Sequence, residues 1–133
     1  MLKRLVQRRR HGKGPYGHLF AAPPGDEVMA LDCETTGLNT RTAELVSVAA
    51  VPVRQGRVAS SECLDVKLQA PRSLDGDSIR IHRLRPVDLE EGCQVQDALE
   101  QLLEKIGNRP LVGWCIDFDV AMINRYLRPL MGF

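Results

Sequence analysis

The sequence has no long hydrophobic stretch. Its longest apolar run, residues 45–53, is well short of the roughly 18–20 residues that a membrane-spanning helix needs. The N-terminal decapeptide is basic like the start of a signal peptide, but neither an apolar core nor a small-residue cleavage site follows it. These absences exclude an integral membrane protein and argue against secretion, so we expect a cytoplasmic protein with no membrane partner.

Closely spaced cysteine pairs are also missing. Cys33, Cys63, Cys93 and Cys115 are separated by 30, 30 and 22 residues. Zinc knuckles and redox sites need two cysteines only two to four residues apart, so this spacing argues against both. We therefore expect four reduced thiols, as is usual in the cytosol.

Acidic residues are absent from the beginning of the chain. Residues 1–25 carry six basic residues and no acid, whereas residues 26–133 carry 12 basic and 17 acidic residues. Glycine and proline are dense after Arg10, which limits any regular helix to about residues 2–10. We interpret residues 1–25 as a basic leader and residues 26–133 as one domain, since 133 residues suit a single core.

The hydrophobic pattern of that domain predicts an α/β fold. Residues 27–68 read as three antiparallel strands, the third of them with a broken pattern, and residues 74–91 as a loop with short helical turns. Apolar residues at helical spacing predict a helix over 95–107, capped by its last glycine. A strand at 110–114, parallel to the first, and a helix over 117–130 complete the order β-β-β-α-β-α.

Two carboxylates end the first predicted strand. Asp32 and Glu34 are two residues apart, so they project from the same face of that strand. Like charges so close raise one another's pKa and destabilise the fold unless a cation lies between them. Isolated acids at strand ends also act as turn caps, but an apolar strand before this pair and Thr-Thr-Gly after it favour a functional site.

A second pair of acids, Asp117 and Asp119, lies where the last strand gives way to the last helix. Acids are favoured at helix N-termini for local reasons, so one of the two is expected to be structural. Asp117 points some 200° around the helix axis from Asp119 and is the better structural candidate. If the strands are neighbours, Asp119 joins Asp32 and Glu34, and three carboxylates suit magnesium or manganese.

These segments together resemble the DEDD exonucleases of the ribonuclease H-like fold, in particular relatives of the proofreading subunit of bacterial replicative DNA polymerase. Residues 32–38 (Asp-Cys-Glu-Thr-Thr-Gly-Leu) match the first motif of that family, and Phe118-Asp119 matches the second. The Ile-His pair ending at His82, with Asp77 five residues earlier, resembles a segment between them. The resemblance covers about residues 26–130.

The resemblance implies a metal-dependent 3′–5′ exonuclease that binds two Mg²⁺ or Mn²⁺ ions. The implied catalytic metal ligands are Asp32, Glu34 and Asp119. The residues implied to lie at the substrate are Thr35, Asp77, His82 and Phe118. The implied partners are a nucleic acid with a 3′ end, DNA rather than RNA, and a DNA polymerase.

The third motif of that family, a His or Tyr general base followed by a fourth acid, has no match. After Asp119 the sequence contains no Asp, Glu or His. We therefore expect the N-terminal part of an exonuclease domain, truncated at its C-terminal end and nearly inactive by itself. Leu127, Leu130, Met131 and Phe133 should then be uncovered and could support a dimer.

Two other functions remain open at this point. One is a catalytically incomplete module of the same fold that binds nucleic acid or a polymerase. The other is a generic α/β domain whose acids cap helices. Capping explains Asp117 and Asp119, but it does not explain the run that begins at Asp32.

Overall fold

The computed structural model of the protein describes residues 12–131. The short helix predicted over residues 2–10 lies outside these residues. Within them, the elements form one mixed five-stranded sheet, in the order β3 (Arg57–Val58), β2 (Leu45–Arg54), β1 (Val28–Thr35) and β5 (Leu111–Val112), with β4 (Leu64–Lys67) also paired to β2. The predicted α/β fold is confirmed, and the boundary of the leader at residue 25 stays a prediction.

The centre of the sheet is built from β1 (Val28–Thr35) and β2 (Leu45–Arg54), which pair antiparallel. β-Branched residues dominate β2, as suits a strand with little contact with solvent. Side chains alternate across β1: Met29 and Leu31 are buried, whereas Asp32 is exposed. One face of the sheet therefore packs on the core and the other is open.

The third predicted strand is present but interrupted. A turn at Gln55 and Gly56, with positive φ angles of 51° and 72°, joins β2 to β3 (Arg57–Val58). After a 3₁₀ turn at Ser60–Glu62, β4 (Leu64–Lys67) resumes the pairing with β2. Pro52 explains the interruption. Its carbonyl accepts the Ala59 N–H, but its nitrogen carries no hydrogen and so cannot donate the second hydrogen bond of a strand pair.

Residues 74–91 contain more helix than the sequence indicated. The structure shows α1 (Gly76–His82) and a 3₁₀ helix at Pro86–Leu89. Asp75 caps α1, since its carboxylate accepts the Ser78 N–H at 2.8 Å and the Ser78 hydroxyl accepts the Asp75 N–H in return. This capping box nucleates a helix too short to show an apolar stripe.

The remaining elements agree with the prediction. Helix α2 (Val95–Ile106) buries one apolar stripe and ends at Gly107, whose φ is 56°. Strand β5 (Leu111–Val112) runs parallel to β1. Helix α3 (Ile116–Met131) follows it and packs on β1, while α2 packs on β2. The two helices cover the buried face of the sheet.

The end of α3 is less exposed than predicted. Leu127 is 8% exposed because it lies in the core, so its predicted exposure was wrong, while Leu130 is 40% exposed. The predictions for the side chains of Met131 and Phe133 fall outside the described part of the chain. Between residues 12 and 131, no helix is both long and apolar enough to cross a lipid bilayer.

Candidate functional site

The open face of the sheet carries the first two predicted acids in adjacent rows. Asp32 pairs with Ala49 of β2, which pairs in turn with Asp65 of β4. Two residues further along β1, Glu34 begins a second row, which ends at Lys67. Each row is about 9.5 Å across, twice the spacing between neighbouring strands. The sheet therefore places two acidic side chains on the β1 side of a shallow trough, and one acidic and one basic side chain on its β4 side.

Small residues in the middle of each row leave room for a cavity of about 240 Å³. His82 at the end of α1 and Leu84 just after it form its remaining wall. It is lined by Asp32, Glu34, Ser47, Ala49, Asp65, Lys67, His82 and Leu84. Three of the residues singled out from sequence, Asp32, Glu34 and His82, thus share one cavity.

Asp119 reaches β1 from the start of α3. Strand β5 ends at Val112, opposite Ala30, so it is too short to pair with Cys33. The Asp119 Oδ1 atom accepts the Cys33 N–H at 2.9 Å and so satisfies that donor. Asp119 is 3% exposed, whereas Asp117 is exposed, as the helical spacing predicts. The bond fixes the Asp119 carboxylate at the residue between Asp32 and Glu34.

The acids of this region act on one another electrostatically. Burial raises the pKa of Glu34, and the Asp32 charge raises it further, while His82 acts in the opposite direction. Burial and the Asp32 charge raise the pKa of Asp119 as well, against the hydrogen bonds from Cys33. Burial, and then Asp119, raises the pKa of the Cys33 thiol. Ionised carboxylates in such a group favour a nearby cation.

The donor chemistry of this group fits a divalent metal. Carboxylate oxygens are the ligands that Mg²⁺ and Mn²⁺ prefer, and Asp32, Glu34 and Asp119 supply them at β1. Over residues 12–131, however, no three Asp, Glu, His or Cys side chains are grouped closely enough to hold one ion as they stand. The convergence of Asp32, Glu34 and Asp119 on a metal therefore stays a prediction.

His82 holds an unpaired polar atom in the cavity wall. Its Nδ1 accepts the Leu84 N–H at 3.0 Å, which assigns the proton of the neutral ring to Nε2. Nε2 is buried and has no hydrogen-bond partner. A buried donor without an acceptor is costly, so this atom is suited to donate to a ligand in the cavity.

The other predicted substrate residues lie outside the cavity lining. The Thr35 hydroxyl donates to the Gly37 carbonyl at 2.8 Å and shapes the loop after Glu34. Phe118 is half-buried against the core. The Asp77 side chain is 88% exposed and pairs with Arg80 at 3.2 Å on the surface of α1. The structure brings His82 to the acids but does not bring Asp77 with it.

Sequence reasoning did not single out Asp65 and Lys67. Their spacing of two residues in a strand shows that they share a face. Only the register between β4 and β2 shows that this is also the face of Asp32 and Glu34. The broken pattern of the third strand hides that register in the sequence.

A known protein family matches most of this chain. The profile of the exonuclease family (RNase_T) matches residues 29–133. The chain belongs to the exonuclease family. The resemblance to DEDD exonucleases of the ribonuclease H-like fold is thereby confirmed.

The similar curated proteins of this exonuclease family are much longer. The chain is 30% identical over 94 residues to the DNA polymerase III PolC-type of Mycoplasmopsis pulmonis, covering 70% of the chain and 6% of that protein. It is 23% identical over 104 residues to the same type of polymerase from Thermotoga petrophila, covering 78% of the chain and 8% of that protein. The chain thus spans less than a tenth of the length of either relative.

Solved structures of exonucleases share the fold. Exonuclease X in complex with 5′ overhanging duplex DNA superposes with a TM-score of 0.60 at 20% identity, over 71% of this chain and 52% of that one. The zinc-bound form of the Escherichia coli ExoI–ssDNA complex gives a TM-score of 0.65 at 14% identity, over 77% of this chain and 23% of that one. At these identities the likeness concerns the fold.

Proposed function

We propose that this exonuclease-family chain carries three metal-binding carboxylates of a 3′–5′ exonuclease that hydrolyses DNA phosphodiesters. The observation that carries the proposal is the grouping around β1: Asp32 and Glu34 line one cavity, and Asp119 is bound to the residue between them. Asp32, Glu34 and Asp119 are the proposed catalytic ligands. Their cations would be Mg²⁺ or Mn²⁺, two in a complete site.

The nature of the substrate is inferred from charge and from the relatives. Nucleic acid is a polyanion, so it approaches an acidic site only if cations neutralise part of the negative charge. Bound divalent ions would do this and would also stabilise charge on the scissile phosphate. Lys67 and His82 are the basic residues in the cavity lining, and the Lys67 ammonium would contact a phosphate that enters the cavity. DNA is favoured over RNA because the similar exonuclease X and ExoI structures contain DNA.

Four other residues have proposed roles at the substrate. The His82 Nε2–H group would donate to a phosphate or sugar oxygen in the cavity. Thr35 holds the loop after Glu34 through its bond to the Gly37 carbonyl, and Phe118 anchors the start of α3 in the core. Asp77 lies in α1, as His82 does, but its side chain is exposed to solvent, so it would contact only the outer part of a bound strand.

The biological setting is proposed from the same relatives. Both similar curated proteins are polymerases of the DNA polymerase III PolC type, so a DNA polymerase is the proposed partner and proofreading the proposed task. Cys33, Cys63, Cys93 and Cys115 are all free in the structure, which suits the reducing cytoplasm. The alternative, a module that binds nucleic acid without cleaving it, is distinguished by the experiment below.

The experiment measures metal binding and nucleotide release in parallel. Mn²⁺ binding is followed by electron paramagnetic resonance, and release is followed with single-stranded DNA labelled at the 3′ or the 5′ end. We expect weak Mn²⁺ binding and slow release of label from the 3′ end first. Release should be slow because residues 120–133 contain no Asp, Glu or His to serve as the general base that follows the second motif, and such assistance is worth about 10²–10⁴-fold.

Two variants make the result specific to the site. Asp32→Asn should remove both Mn²⁺ binding and nucleotide release, because it removes the charge at the centre of the group. Asp117→Asn is the matched control, since it changes an exposed acid two residues from Asp119 and should leave both measurements unchanged. Equal Mn²⁺ binding by Asp32→Asn and the unchanged protein would exclude the proposed site. DNA binding with intact Mn²⁺ binding but no release would favour the binding module.

A further inference from the structure

Trp114 is an exposed indole next to the candidate site. It is the only tryptophan in the sequence, and it is 91% exposed in the turn between β5 and α3. Tryptophan is highly buried on average, so an isolated and almost fully exposed indole needs an explanation.

The backbone on the β5 side fixes the position of this turn against β1. Strand β5 pairs with β1 as far as Val112, opposite Ala30, and Trp114 follows two residues later in the turn that leads to α3. Gly113 lies against the Leu31 carbonyl, where a Cβ atom would come within 2.5 Å of the oxygen. The close approach requires glycine at this position and holds Trp114 beside the strand that carries the acids.

The backbone on the α3 side fixes the turn as well. Cys115 has a φ of 50°, in the left-handed region that is unfavourable for a residue with a side chain. Its carbonyl accepts the Phe118 N–H at 2.8 Å, which begins the first turn of α3 and so leads directly to Asp119. The turn is thus attached to β1 on one side and to the Asp119 helix on the other, and its indole is held out in solvent.

We propose that Trp114 is a base-stacking residue that positions single-stranded nucleic acid beside the carboxylates. This inference rests on the proposed function, because it assumes that a nucleic acid strand reaches Asp32. Aromatic side chains bind single strands by stacking on bases, and this contact tolerates any sequence because every base has a π face. An enzyme that removes successive nucleotides needs such a sequence-independent contact.

The Trp114 indole lies on a different side of the acids from the other proposed substrate contacts. Lys67 and His82 line the cavity on the β4 and α1 side of Asp32, whereas Trp114 lies on the β5 side. Groups that face phosphate and a group that faces a base therefore flank the acids from opposite sides. A strand that places a phosphate at Asp32 can stack a base on Trp114 at the same time.

The single tryptophan gives a direct test by fluorescence. The probe is single-stranded oligothymidine with phosphorothioate linkages, which resist hydrolysis, titrated into the protein in the presence of Mg²⁺. Stacking predicts quenching of the indole emission that saturates with the binding of the oligonucleotide, measured separately by anisotropy of a label at its 5′ end. An oligomer of the same charge without bases should bind more weakly and should not quench the emission.

Substitutions at Trp114 test how much the contact contributes. Base stacking of about 1–3 kcal/mol predicts that Trp114→Ala weakens oligothymidine binding about 5- to 150-fold. Trp114→Phe should keep binding within a few-fold of the unchanged protein, because it keeps an aromatic face. Val112→Ala is the matched control: it removes exposed apolar surface from the same edge of the sheet and should leave binding unchanged.

Three results would overturn the inference. One is oligothymidine binding without any change in indole emission. Another is equal binding of oligothymidine by Trp114→Ala and the unchanged protein. This second result would leave the proposed function in place, because Asp32→Asn would still remove Mn²⁺ binding. The third is a change of indole emission with protein concentration alone, which would show that a second copy of the chain covers Trp114.

Discussion

At the scale of single residues, Glu34 shows a conflict between stability and function. Its side chain is half-buried, and both burial and the Asp32 charge raise its pKa. The ionised form that a metal site requires is therefore the form that the fold disfavours when no cation is bound. Sites of this kind are expected where selection maintains a function at the expense of stability.

Replacing Glu34 by glutamine should therefore stabilise the metal-free protein. Glu34→Gln keeps the shape of the side chain and removes the repulsion from Asp32, so we expect unfolding to require on the order of 1 kcal/mol more free energy at neutral pH. Chemical denaturation in the presence of a chelator measures this change. A loss of stability would show that the Glu34 charge is compensated within the protein.

At the scale of elements, α3 organises the loop that follows the carboxylate strand. Arg125 of α3 donates one guanidinium hydrogen bond to the Thr40 carbonyl at 2.7 Å. A second guanidinium nitrogen donates to the Ala43 carbonyl and to the Tyr126 hydroxyl. The planar guanidinium can satisfy several acceptors in this fixed arrangement. The helix that supplies Asp119 thus also holds the loop that leaves β1.

Removing the Arg125 side-chain bonds should loosen this loop. Arg125→Met keeps most of the apolar length but leaves the Thr40 and Ala43 carbonyls without these donors, so we expect a loss of about 1–3 kcal/mol of stability. Hydrogen exchange should become faster over residues 36–45. Arg125→Lys retains the charge without the planar group and should restore only part of the stability. Unchanged exchange in both variants would contradict this role.

The elements also show which features of the fold and the site a local sequence pattern can predict. The two-residue period of a strand predicted that Asp32 and Glu34 share a face, and helical spacing predicted that Asp119 rather than Asp117 turns inward. Both depend only on local geometry. The position of Lys67 depends on pairing across three strands, and the break that Pro52 causes shifts that pairing beyond what a local pattern shows. The sequence predicted only short helical turns where α1 lies, because seven residues are too few for a periodic signal.

At the scale of the whole molecule, ion pairs connect neighbouring strands at one end of the sheet. The Glu27 carboxylate accepts from Arg54 at 2.9 Å and from Arg109 at 2.8 Å, so it links β2 to the segment before β5. Arg54 also pairs with Glu62. The pKa of Glu27 lies below its usual range, chiefly because of the hydrogen bond from Arg109, and that of Glu62 is lowered chiefly by Arg54.

The directions of these pKa shifts determine whether the folded state gains or loses stability as the pH changes. A carboxyl group with a lowered pKa stabilises the folded state above its unfolded pKa, and this contribution is lost as the pH falls through the folded value. Glu27 and Glu62 behave in this way, as does Asp88, whose pKa is lowered to about 2 by Arg85. Glu34 and Asp119 have raised pKa values and act in the opposite direction, so their protonation relieves repulsion.

We therefore expect the melting temperature to fall most steeply below about pH 4.5, where ordinary carboxyl groups take up protons. Glu27→Gln should reduce the steepness of this fall, whereas Glu34→Gln should raise the melting temperature at neutral pH more than at pH 4. Calorimetry or circular dichroism over pH 3–7 measures both effects. A melting temperature independent of pH over this range would contradict the assignment of the ion pairs.

The most direct test of the account is to locate a bound metal ion. Crystals of the protein soaked in Mn²⁺ can be measured at a wavelength where manganese scatters anomalously. The account predicts an anomalous peak bound by oxygens of Asp32, Glu34 and Asp119, with metal–oxygen distances of roughly 2.0–2.6 Å, and no such peak in Asp32→Asn crystals. A fully occupied peak elsewhere on the protein, with none among these three carboxylates, would contradict it.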